Sequence, residues 1–134
     1  MKTKLAVFAV ILAVAGALAF NFVLKPRNIK KAEEVNRVYL AALRRVVTRL
    51  SFDKGALKDI AEAVADPEVS GVSGLWLSPG MPHRRTKSVS NYPTLAGQDT
   101  GNFGYVNDPK DPKFGTVFID CTHADSSGKG WNSY

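Results

Sequence analysis

Residues 5–24 read LAVFAVILAVAGALAFNFVL, and Asn21 is the only clearly polar side chain among them. At 1.5 Å of rise per residue, about 20 apolar residues make a helix long enough to cross a hydrocarbon core. Charge returns at once with Lys25 and Arg27 on either side of Pro26, and a second pattern runs from there to Leu50. Ile29, Ala32, Val35, Tyr39, Ala42, Leu43, Val46 and Leu50 recur at three- and four-residue steps, the spacing of one helix face. Glu33, Arg37, Arg44, Arg45 and Arg49 fall largely elsewhere on the wheel, with Glu33 and Arg37 in the favourable i,i+4 order. The stretch therefore predicts one rod in two halves, greasy and then amphipathic, with the rest of the chain packed on the second half. Pro26 lacks a backbone donor and crowds the carbonyl four residues back, so it should kink the rod or mark its membrane exit.

A secretory signal is the rival reading of the apolar run, with Met1-Lys2-Thr3-Lys4 as its charged start and Ala17-Leu18-Ala19 as its cleavage site. Cleavage there would leave Phe20-Asn21-Phe22-Val23-Leu24 as an apolar new terminus, and the run has the length of a span. Retention is expected. Lys2 and Lys4 on one side, and Lys25, Arg27, Lys30 and Lys31 on the other, are placed to snorkel at membrane interfaces. Those residues account for much of the formal charge of +6. With no recognition-helix pattern or aromatic ladder, nucleic acid is not an expected partner. The single cysteine, Cys121, excludes an intramolecular disulfide. The division expected is a membrane-spanning or filament-core helix at 1–25 and one small globular domain at 26–134.

Within that domain Asp53 is placed to cap a short second helix with Leu57, Ile60, Ala61 and Val64 buried. Pro67 should stop it at about Asp66. Serine, glycine, threonine and proline dominate from Glu68 to Gly101, with a short strand in Gly71–Leu77, a turn at Pro79-Gly80 and an exposed basic loop through His83, Arg84, Arg85 and Lys87. Phe103–Val106 and Gly115–Asp120 read as strands joined by the turn-rich 107–113, an antiparallel hairpin. Trp131 and Tyr134 close the chain in a last short strand. The expected class is α+β: a long N-terminal helix on a small antiparallel sheet.

Chemistry-bearing residues concentrate in Asp120-Cys121-Thr122-His123-Ala124-Asp125. On a strand Cys121 and His123 share a face, with Asp125 after them if the strand continues. A soft metal accepts cysteine plus histidine, but a structural zinc site takes about four ligands, and His83 is the only other histidine. A thiol nucleophile needs an oxyanion hole and an orienting partner, neither of which is legible. Cys121 is therefore read as a small buried thiol, and no catalytic residue, cofactor or metal is expected. Asp108, Asp111, Asp120 and Asp125 are weak candidates for calcium, without EF-hand spacing.

Gly104-Tyr105-Val106-Asn107-Asp108, then Gly115-Thr116-Val117-Phe118-Ile119-Asp120, then Asp125-Ser126-Ser127-Gly128 with Trp131 and Tyr134, resembles the end of type IV pilins and type II secretion pseudopilins. The order of elements along the chain is similar too. The resemblance implies a non-enzymatic structural subunit, stored in a bacterial inner membrane with its domain in the periplasm or assembled into an extracellular filament. Its partners would be copies of itself or other pilin-like subunits. The family's basic leader and Phe-Thr-x-x-x-Glu start are not present here, so the contact made by that glutamate is not carried over. Assembly would rest on small residues that let rods approach closely, Ala13, Gly16 and Ala17 with Ala15 and Ala19, and on Pro26 at the join. The alternatives are a membrane-tethered extracytoplasmic binding or sensor domain whose helix is only an anchor, and a secreted enzyme released at Ala19.

Overall fold

Helix α1 (Lys2–Ala19), one stretch of π-helix (Phe20–Leu24) and helix α2 (Lys25–Lys54) follow one another without interruption. Together they make about 80 Å of rod at 1.5 Å per residue. The computed structural model describes residues 2–74, 83, 88–95 and 97–134, with side chains from Val10 onward. The π stretch sits where Pro26 predicts trouble. In a regular α turn the proline ring would crowd the Phe22 carbonyl. A wider turn, in which the Lys25 N–H reaches back to the Phe20 carbonyl, lets the helix pass the proline instead of ending there. Asn21 is satisfied within the apolar half, its Nδ2 donating to the Ala17 carbonyl at 3.0 Å.

The molecule is α+β. Strands β1 (Val89–Tyr92), β2 (Phe103–Val106) and β3 (Val117–Ile119) form one sheet in the order β1-β2-β3. The hairpin of β2 and β3 is antiparallel as expected, with Phe103 opposite Ile119 and Tyr105 opposite Val117. The sheet as a whole is mixed, because β1 lies parallel to β2 with Val89 beside Phe103. β1 falls in the stretch read as loop, and its four residues, Val-Ser-Asn-Tyr, are too short and too polar to show a period. Of the strand expected in Gly71–Leu77, residues 71–74 form a turn and irregular chain. The remainder of it, the Pro79-Gly80 turn and Arg84, Arg85 and Lys87 lie outside the described residues.

Alternation along the hairpin makes two layers. Phe103, Tyr105, Val117 and Ile119 join the core formed by Tyr39, Leu40, Leu43, Val46 and Val47 of α2, with Cys121 and Trp131. Tyr39 meets Phe103 edge-on at 4.7 Å between ring centroids. On the sheet's other face Tyr92, Val106 and Phe118 form a small second cluster. Gly104 is required there, since a Cβ at that position would lie 2.4 Å from the Phe118 ring.

Several local expectations change. Asp53 lies inside α2, which runs on to Lys54, and the short helix α3 (Ala61–Ala65) begins instead beside Asp59, whose carboxylate accepts the Ala61 N–H at 2.9 Å. Leu57, Ile60 and Ala63 are buried, whereas Ala61 is exposed. The stop at Asp66 is observed. Asp66 is extended before Pro67, and its side chain caps α4 (Pro67–Ser70). Glu33 is buried at 1% exposure, because the chain after β3 returns and covers the edge of the apolar stripe. Arg44 is drawn from the solvent side to the edge strand, where Nε and Nη2 donate to the Val117 carbonyl at 3.1 and 3.0 Å. The final segment is a 3-10 turn, Trp131–Ser133, with an isolated bridge between Ala124 and Gly130 in place of a strand.

Candidate functional site

Because β1 and β2 are parallel while β3 runs against them, one end of the sheet collects three chain segments. The start of β1, the start of β2 and the end of β3 all meet there. A parallel neighbour also requires the chain leaving β1 at Tyr92 to travel back before starting β2 at Phe103. The return segment is held at that end by Asp120, the residue directly after β3. Its Oδ1 accepts the N–H groups of Gln98 and Asp99 at 2.8 and 3.0 Å, and its Oδ2 accepts the Thr100 hydroxyl and the buried Tyr92 hydroxyl at 2.6 and 3.0 Å. Burial alone would raise the Asp120 carboxyl, but the Thr100 and Tyr92 hydroxyls and the N–H donors outweigh it and hold the group below its ordinary value.

This clamp fixes what the return segment presents. Asp99 has a φ of 56°, the left-handed conformation that Asp and Asn tolerate better than most residues. Its Oδ1 accepts the Thr122 N–H at 2.8 Å, the first cause of a carboxyl pKa below the ordinary value. The same oxygen lies 3.3 Å from His83 Nε2 and 3.5 Å from His123 Nδ1. Cys121 Sγ lies 3.6 Å from His123 Nδ1. His83 stacks over Gly101, whose φ is +75° and where a Cβ would fall 2.3 Å from the His83 Cβ. Donor atoms of His83, Asp99, Cys121 and His123 thus all lie within 4.8 Å of one another. Asp99 has no marker in the sequence, since neither its left-handed backbone nor the return path before β2 leaves a periodic signal.

The cluster is not arranged as a proton relay. In a nucleophile–histidine–carboxylate triad the thiol and the carboxylate address opposite ring nitrogens. Here Cys121 and Asp99 both face Nδ1 of His123. Burial pushes the Cys121 thiol up, opposed by the His123 N–H and reinforced by the charges of Asp99 and Asp120. That is the reverse of what activates a nucleophilic cysteine.

The residues singled out for calcium are each engaged separately. Asp108 and Asp111 accept the N–H groups of Lys110 and Lys113 in the hairpin loop, and Asp120 holds the return segment. Asp125 accepts Arg37 Nη2 at 3.1 Å, the Ser127 hydroxyl at 2.6 Å, the Lys129 N–H at 3.0 Å and the Tyr134 hydroxyl. The proposed assembly residues Ala13, Gly16, Ala17 and Pro26 are all exposed along the rod. No family model, curated protein or solved structure matches this chain.

Proposed function

We propose that the protein is a structural subunit of a pilin-like filament or pseudopilus, stored in a membrane by the apolar half of its rod and assembled by packing that half against neighbouring rods. The observation that carries this reading is the contrast between the two halves of one continuous helix. From Ala32 to Val47 the rod supplies a buried face to the domain core. From Val10 to Leu24 every residue is exposed, with Val10 at 62% and Phe22 at 75%. An apolar surface of that extent needs lipid or other apolar rods to cover it. Because the π turn carries the helix past Pro26, the rod's direction and the domain's position are mechanically one. That suits a subunit whose domains must be displayed in register, which a flexible anchor could not do.

In lipid the rods gain no apolar advantage by meeting, so association depends on close packing at small residues. Gly16 has open space around it within the single chain. The test replaces Gly16 with Leu and follows both membrane insertion and entry into sheared filaments or high-mass assemblies. Insertion should be unchanged, because apolar area only increases, while assembly should fall sharply. Wild-type protein that remains monomeric in membranes while the pilus or secretion machinery is running would overturn the subunit role and leave the tethered-domain reading.

A further inference from the structure

We propose that His83 Nε2, Asp99 Oδ1, Cys121 Sγ and His123 Nδ1 form a four-coordinate zinc site that ties the return segment before β2 to His83 and to the segment after β3. This goes beyond the filament reading and stands or falls without it, since the site lies in the globular domain, away from the exposed half of the rod.

The distances favour a metal over a hydrogen-bonded cluster. Zinc bonds of about 2.0–2.1 Å to nitrogen, 2.0–2.2 Å to oxygen and 2.3 Å to sulfur put tetrahedral neighbours roughly 3.3–3.6 Å apart. Three of the six separations are 3.3 Å for His83 to Asp99, 3.5 Å for His123 to Asp99 and 3.6 Å for Cys121 to His123, and the other three are no longer than 4.8 Å. The first three lengths match edges of a tetrahedral shell, and the two histidine–carboxylate distances are longer than good N–H···O hydrogen bonds. His83 Nε2 is buried and makes no hydrogen bond among the described residues, although the Asp99 carboxylate, an acceptor, lies 3.3 Å away, so its lone pair is suited to a cation. A donor set of two imidazoles, a thiolate and a carboxylate selects a borderline-soft ion with tetrahedral preference.

The supporting contacts are those that orient metal ligands elsewhere. The Thr122 N–H fixes the Asp99 carboxylate, Asp120 fixes the backbone on either side of it, and Gly101 makes room for the His83 ring. Access lies on the side of Asp99 and His123, whose side chains are 36% and 40% exposed, above the buried Cys121. Four protein donors close the shell, so the ion would cross-link the domain and leave no open position for a substrate.

The test is cobalt and zinc titration of the full-length chain in detergent after treatment with chelator. One ion per chain should bind, and cobalt should give tetrahedral absorption with a thiolate charge-transfer band. Cys121→Ser should lose that band. Asp99→Asn keeps an acceptor for Thr122 and tolerates the left-handed backbone, yet should weaken binding more than tenfold. So should His123→Ala, at a partly exposed position. Folding is controlled by melting in excess chelator, where these two variants should match wild type, and zinc should raise the melting temperature of wild type alone. Absence of the cobalt spectrum in wild type would overturn the site. Binding unchanged in both Asp99→Asn and His123→Ala would overturn it equally.

Discussion

Asp125 shows how one side chain joins the rod to the far end of the chain. Its carboxylate collects donors from Arg37 of α2, from its own turn and from Tyr134. Beside it, Glu33 accepts the Ser126 N–H at 2.7 Å and the Ser126 hydroxyl at 2.6 Å. A helical wheel places Glu33 and Arg37 off the apolar stripe, because it sees only their own helix. What buries Glu33 and pairs with Arg37 arrives some ninety positions later, and that is why this clamp was illegible in the sequence although each of its residues was visible. Asp125→Ala would leave the Ser127 and Tyr134 hydroxyls and the Lys129 N–H without their acceptor, while Arg37 keeps Glu33 and Glu34, and should cost about 1–3 kcal/mol in denaturant unfolding. Burial alone would raise the Asp125 carboxyl, but the Ser127 and Tyr134 hydroxyls, Arg37 and the Lys129 N–H hold it well below the ordinary range. The unfolded chain titrates near ~3.9, so the folded state binds this proton less readily. The contribution is therefore full above about pH 4 and is lost as pH falls further. Unfolding measured in chelator from pH 6 to pH 2 should show a shallower acid loss for Asp125→Asn than for wild type, and parallel curves would contradict this account.

Among the elements, the rod and the β2–β3 hairpin were legible because each carries a period: apolar steps of three and four along α2, and alternation across an Asp/Pro turn. Strand β1 carries none. It exists because a partner strand is present, with Asn91 accepting the Ile60 N–H at 3.2 Å and donating to Asp59 at 3.0 Å. Missing β1 also hid the parallel pairing, and with it the return segment that brings Asp99 beside Cys121. Strand β3 lies at the sheet's edge, where Arg44 satisfies the Val117 carbonyl with two donors. Arg44→Ala should cost about 1–2 kcal/mol by urea unfolding, with Arg44→Lys recovering only part of it because an ammonium lacks the planar fork. Gly104→Ala drives a methyl into the Phe118 ring and should cost roughly 1–3 kcal/mol. A neutral result would mean that the Tyr92–Val106–Phe118 layer repacks freely.

At the scale of the whole molecule, the domain is built onto half of a helix whose other half it leaves uncovered. That division was readable from the first fifty residues, since an unbroken run of apolar side chains gives way at Lys25 to an amphipathic period of three- and four-residue steps. What covers the apolar half cannot be read from one chain's periodicity, because lipid and neighbouring rods select the same residues. Retention is the first requirement of the filament reading. Intact mass of the purified mature protein should include residues through Leu24, and a soluble species beginning at Phe20 would rule the rod out. The most direct test of the filament account is photo-crosslinking from a benzophenone amino acid placed at Ala13, on the exposed small-residue stretch, in cells whose assembly machinery is running. The account predicts a ladder of multimers of this chain, or discrete adducts with another pilin-like subunit, that disappears when the machinery is disabled. Adducts with lipid alone, unchanged by the state of the machinery, would contradict it.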